Sequence, residues 1–241
     1  MQKFKHIYKL AAQRKGGEEA LASLLIPPLS NEALAQRGDN RFLASMTQAI
    51  NQAGFNWTVI ANKWPQFEEA FFGFNINKLS YLSPDEWSSY MSDKRVVRHG
   101  QKIRAVMENV NFIEREIARH GSFAKFIADW PQSDQIGLLA YLKKHGSRLG
   151  GQTGQWFLRY VGKDCFVMTR DVIFAIQNAG YDIDSKPTSK RDLQKVQDAF
   201  NSWHDETGLC YTSLSRIAAF SVNINHETGM IKREVKKIII M

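Results

Sequence analysis

Apolar residues recur at helical spacing along most of this chain. Phe42, Met46, Ala49, Ile50 and Ala53 share one face of a predicted helix, which Gly54 interrupts. Ser83, Pro84, Asp85 and Glu86 supply an N-cap, a proline at the first helical position and a capping-box glutamate, so another helix starts there. A longer one follows over 101–119, with Ile103, Val106, Val110 and Ile113 on one side and Gly121 closing it. The stripe Ile136, Leu139, Leu142 then runs into the glycines Gly146, Gly150, Gly151 and Gly154, after which a new helix carries Trp156, Phe157 and Tyr160. Further helices are expected at 172–179, 190–203 and 213–222. Long strand-like alternation is confined to the tail, and no repeat of fixed period is present. The expected class is all-α.

Three regions follow from the same pattern. Residues 1–40 read as an N-terminal arm that packs on the helical lobes, with a helical piece around 18–25 ended by Pro27 and Pro28. Residues 41–222 form the main helical domain. Residues 223–241 are basic and then apolar, a C-terminal tail.

Composition narrows the function classes. At 241 residues and 44% hydrophobic content the chain can bury a real core. Its net charge of +8 favours polyanionic partners, because Lys and Arg that neutralise phosphates release condensed counterions. Two cysteines, Cys165 and Cys210, exclude a disulfide framework and a four-cysteine metal or cluster site within one chain. A reducing cytoplasm is the expected compartment. The basic, amphipathic first 14 residues lack the apolar stretch of a signal peptide, and no run of about 18 apolar residues exists, so neither secretion nor membrane spanning is expected.

The segment from His145 to Tyr160 is the most informative locally. Glycines in a short connection permit positive φ, and the N–H groups opening the second helix can receive a phosphate oxygen without reading sequence. An ordinary interhelical turn is the alternative. Leu149-Gly150-Gly151-Gln152-Thr153 resembles a degenerate form of the hairpin of helix-hairpin-helix DNA glycosylases. Members of that superfamily that also cut the backbone carry a lysine just before the threonine. Gln152 stands there and cannot form a Schiff base, so the resemblance implies a monofunctional enzyme.

Three stretches upstream, Ala53-Gly54-Phe55-Asn56-Trp57, residues 67–75, and Val97-Arg98-His99-Gly100-Gln101-Lys102-Ile103, resemble the DNA-3-methyladenine glycosylase I family in order and spacing. With the hairpin, the similarity spans about residues 42–172. It implies a bilobal helix-hairpin-helix glycosylase fold that binds double-stranded DNA as a monomer and flips a damaged base, most plausibly 3-methyladenine.

The resemblance also assigns residues. Trp57 matches the tryptophan that stacks on the flipped base, where its face offers stacking and cation–π attraction to a methylated purine; a core tryptophan is the alternative. Gly54 and Phe55 sit where the family probes the gap left by the extruded nucleotide, so Phe55 can wedge into the stack, or make only a hydrophobic contact after a helix end. Asn56 lies between them and is assigned to the base. Arg98 and Lys102, in a short basic stretch before an apolar helix, either hold phosphates of the DNA backbone or only solvate the helix start; Gly150, Gly151, Gln152, Thr153 and Gly154 are assigned to the DNA backbone, and His99 to phosphate or structure. Asp171 matches an aspartate that, in other branches, stabilises the oxocarbenium ion and orients water; it can equally cap a helix starting at Val172.

Departures from the family limit what carries over. Its zinc ligands are two cysteines and two histidines, but no cysteine lies near this N-terminus and Val172 stands where one histidine is expected, so neither metal nor cofactor is expected. The family's N-terminal tyrosines are not recognisable. Its pocket glutamate, eight residues before the tryptophan, is Ala49 here. An N-glycosylase and a non-catalytic binder of alkylated or distorted DNA both remain open.

Overall fold

The computed structural model describes residues 2–222, and the basic and apolar tail over 223–241 lies outside them. Among the described residues there are fourteen α-helices and no strand. Helix α1 (Phe4–Lys15) is ended by Gly16 at φ +90°, and α2 (Glu18–Ala22) follows. Next come α3 (Asn31–Ala35), α4 (Asp39–Gln52) and α5 (Trp57–Ala70). Helix α6 (Ile76–Ser80) is capped by Asn75, and α7 (Pro84–Ser89) shows the reciprocal Ser83–Glu86 capping box that its sequence predicts. The long α8 (Gly100–His120) leads to α9 (Phe123–Asp129), then to α10 (Gln135–His145) and α11 (Gln152–Tyr160). The last three are α12 (Arg170–Asn178), α13 (Lys190–Thr207) and α14 (Tyr211–Val222).

The chain divides into two units, and the division does not follow the sequence. Among the described residues, one unit joins 2–28 with 131–136 and 164–222. In it α14 packs on both α1 and α12, and the amphipathic start of the chain forms a helix with Phe4, Ile7 and Ala11 buried. Phe4 meets Trp203 at 5.1 Å between ring centroids, and Phe166 stacks on Phe200 at 4.2 Å. Among the described residues the backbone over 164–169 has no partner strand, and side chains satisfy it instead. Cys165 N donates to Thr212 Oγ1 and Val167 N to Ser215 Oγ, while Gln135 closes a two-bond ring with the backbone of Phe166. Asp164 accepts the N–H groups of Tyr211 and Thr212 at 3.1 and 2.8 Å and so caps α14.

The other unit comprises Leu29–Trp130 and Gly137–Lys163. Helix α4 is buried along most of its length and packs between α8 and α11. Phe42 sets its ring edge-on to Phe123 and Phe157, with Phe112 against Phe123. A second aromatic cluster, Trp64, Phe67, Phe71, Phe74, Trp87 and Tyr90, ties α5 to α7, and Tyr90 Oη donates to the carbonyl of Ala70. No helix among the described residues is long and apolar enough to cross a membrane.

Two local expectations are corrected. Helix α12 begins at Arg170, and its N-cap is Thr169, whose hydroxyl accepts from Val172 N at 3.2 Å. Asp171 therefore lies inside the first turn and is not the cap, because threonine two residues earlier already occupies that role. Asn56 proves to be a cap as well: its Oδ1 accepts from Thr58 N at 2.9 Å and starts α5 at Trp57.

Candidate nucleic-acid interface

Three segments remote in sequence meet within the second unit. The first is the turn after α4. Ala53 leaves the helix in extended conformation and Gly54 adopts φ +76°, which a side-chain-bearing residue rarely takes, so the chain reverses before Asn56 starts α5. The reversal leaves Phe55 and Trp57 outside the core, 43% and 40% exposed. Trp57 is thus a surface residue, not a core one. Asn56 Oδ1 accepts the capping bond, and its amide N–H groups can donate to a base or a phosphate.

The second segment is the start of α8. Arg98 and His99 are exposed, and His99 is the N-cap residue without a side-chain capping bond. Lys102 is different. It is 4% exposed, and its Nζ donates to the carbonyls of Asn51 and Ala53 at 2.9 and 3.0 Å while lying 4.3 Å from the centroid of the Phe55 ring. The expected phosphate contact by Lys102 is therefore corrected, since an ammonium enclosed by a helix end and a ring presents no face to DNA. Burial pushes its pKa down to about 8, with repulsion from Arg148 adding to the effect.

The third is the hairpin between α10 and α11. Leu149 is buried at its centre, and Asn109, fully buried on α8, clamps it: Asn109 Nδ2 donates to Ser147 O and Oδ1 accepts from Ser147 N. Gly151 sits at the α11 N-cap with φ +59° and brings no side chain to the first N–H groups of that helix. Gly151 and Gln152 are exposed, Gly150 and Thr153 partly so. Gly154 is buried, and a Cβ there would lie 2.4 Å from the Leu149 carbonyl oxygen. Its assignment to DNA is corrected: it lets α11 close against its own loop.

These segments are tied to one another. Arg148 donates to Gln101 Oε1 at 3.0 Å, joining the hairpin to α8. Trp156 sets its ring edge-on to Trp57 at 5.2 Å and stacks on Tyr160, whose hydroxyl donates to Gln52 Oε1 at 2.7 Å. Exposed cations, exposed aromatics and a helix start without a side-chain capping bond thus share one region. Trp156, Tyr160 and Gln52 escaped the sequence reading because Trp156 and Tyr160, one helical turn apart, have the spacing of an ordinary apolar stripe. Asp171 belongs to the other unit, partly exposed in the first turn of α12. Among the described residues no three His, Cys, Asp or Glu side chains group as metal ligands would.

Residues 33–144 match the methyladenine glycosylase family. That family comprises DNA glycosylases, enzymes that cleave the bond between a base and its sugar, and the match includes the turn at 53–57 and the start of α8. The family resemblance drawn from those stretches therefore holds. A Methanocaldococcus jannaschii 8-oxoguanine glycosylase/lyase, solved in complex with a 15mer DNA containing 8-oxoguanine, is similar over 89% of this chain and 96% of its own, at 13% identity and TM-score 0.53. The likeness is one of all-α fold. A Staphylococcus aureus 3-methyladenine DNA glycosylase I is 23% identical over 68% of this chain and 87% of its own, with TM-score 0.46. No curated protein matches the chain at a significant level.

Proposed function

We propose that the protein is a monofunctional DNA glycosylase that flips an alkylated purine from duplex DNA and releases it by hydrolysis. The observation that carries this reading is the meeting of the exposed Trp57 and Phe55 with the hairpin and the basic start of α8. The hairpin N–H groups and Arg98 hold phosphates, Phe55 enters the stack, and Trp57 offers its face to the extruded base. Gln152 in place of a lysine leaves no amine at that position to attack the sugar, which supports hydrolysis without strand cutting. Asp171 is proposed as the carboxylate that stabilises charge on the sugar. Ala49 favours a second reading, a binder of alkylated DNA without catalysis, because no carboxylate stands where the family reads the base.

Chromatography of the bases released from methylated duplex DNA separates the two. Release of 3-methyladenine or another methylated purine supports the enzyme, and tight binding without release supports the binder. Trp57→Ala should leave the melting temperature unchanged, because the ring is half exposed, while removing about 1–3 kcal/mol of base–aromatic stacking from lesion binding. A loss of stability instead of selectivity would return Trp57 to the core. Binding to undamaged duplex should weaken about 12-fold between 50 and 200 mM salt if Arg98 and Arg148 each neutralise one phosphate; a flat profile in a salt titration removes the electrostatic part of the reading.

A further inference from the structure

Lys102 is a buried cation that no carboxylate among the described residues neutralises. It lines a small cavity with apolar residues: Phe67 of α5 and Phe71 just after it, Val96 and Val97 before α8, and Ile103 and Val106 of α8. From α4 and the following turn it meets only the carbonyls of Asn51 and Ala53, the Asn51 side chain and the ring of Phe55. The charged group facing it from the hairpin is Arg148, which repels it, and on its own helix His99 lies three positions earlier, one turn away. An aliphatic side chain would fill such a place at lower desolvation cost. The charge must therefore serve the groups it touches.

We propose that Lys102 is a positioning residue, which clamps the carbonyl end of α4 beneath the Phe55 ring and so holds the Gly54–Phe55 turn in the shape that enters a base stack. The proposal rests on the reading of the protein as a base-flipping glycosylase. A helix C-terminus carries partial negative charge, and its last carbonyls have no N–H partner within the helix. An ammonium satisfies two carbonyls at once and presents its remaining charge to the face of an aromatic ring. The clamp fixes Phe55 from beneath while nearly half of that residue's surface faces outward. Ordering the wedge in advance lowers the entropy lost when it inserts, and this benefit arises only where the stack has been opened. Undamaged duplex, gripped by phosphates, gains nothing from it.

The sign of the pH effect follows from the same geometry. Burial lowers the pKa of Lys102 to about 8, so its charge, and with it the clamp on the Phe55 turn, is present below that pH and is lost as pH rises through it. Insertion is therefore strongest below pH 8 and weakens above it, as the ring loses its cation. The test measures affinity for a duplex holding a tetrahydrofuran abasic-site analogue, and for its undamaged counterpart, at pH 7 and 9. 2-Aminopurine beside the gap reports the wedge.

Wild type should lose about 10-fold of its preference for the abasic duplex between pH 7 and 9. Phe55→Ala should lack both the preference and its pH dependence. Lys102→Met should bind undamaged DNA like wild type but lose the preference at both pH values, and the double variant should be no weaker than Phe55→Ala. A wild-type preference equal at the two pH values, or one retained in Lys102→Met, overturns the role of Lys102. If Lys102→Met does not fold, the comparison of wild type with Phe55→Ala decides alone. Absence of any preference in the wild type at pH 7 overturns the base-flipping reading itself, and the role of Lys102 with it.

Discussion

Gly154→Ala should lower the melting temperature by several degrees and weaken binding to undamaged duplex in the same step. A Cβ at this position meets the Leu149 carbonyl oxygen at 2.4 Å and the Leu139 side chain at 3.4 Å. The first contact is with backbone, which cannot rotate aside as a flexible side chain does. Either α11 moves outward or the loop at Leu149 gives way, and both displace the N–H groups that open α11. Alanine is the better helix former by about 1 kcal/mol, but overpacking a closed site costs about 1–3 kcal/mol, and a clash this short falls at the upper end. At roughly 2–4 °C per kcal/mol for a chain of this size, the net change is a loss of several degrees. Gly151→Ala is the control: nothing lies within 4 Å of its Cβ, so only its positive φ opposes the substitution. Thermal melts and duplex titrations of the two variants distinguish packing from backbone strain. A Gly154→Ala protein as stable as wild type would show that α11 does not close on its loop.

The hairpin was legible because it is local. Glycines between two apolar stripes specify a tight connection wherever they occur, and residues 149–154 adopt one. The capping box at Ser83 was legible for the same reason. Lys102 misled because a basic cluster before a helix has the same composition whether its members face water or a helix end; only the position of α4 against α8 separates Arg98, exposed, from Lys102, enclosed. Trp57 needed the turn at Gly54, which rotates it out of the core that its helical spacing suggests. The pairing of the chain's first helix with its last lay beyond any local signal. Arg14 of α1 donates to the carbonyl of Ser221 on α14 across 207 positions, and no periodicity in α1 names a partner so distant. Asp171 was open between cap and catalyst, and a hydroxyl two residues earlier decided the first half of that question.

That decision makes Asp171→Asn a clean test of the second half. Because Thr169 caps α12, the substitution removes charge from the first turn without removing the capping bond, and the lost interaction with the helix dipole costs only about 0.3–1 kcal/mol. The variant should fold and melt within a few degrees of wild type. Cleavage of the glycosidic bond builds positive charge on the sugar, and a carboxylate held nearby in a site that excludes water stabilises that charge far more than it would in bulk solvent. A neutral base such as hypoxanthine is a poor leaving group and requires this assistance. A base already cationic through methylation departs more readily and requires less. Under single turnover, Asp171→Asn should therefore slow release of a neutral base at least about 100-fold, the scale of removing one electrostatic stabiliser, while 3-methyladenine release falls by a smaller factor. DNA affinity should change little, because the interaction exists only in the transition state. Equal rates for variant and wild type on both substrates would reduce Asp171 to a residue of the first turn of α12 and leave catalysis to stacking on Trp57 and extrusion by Phe55.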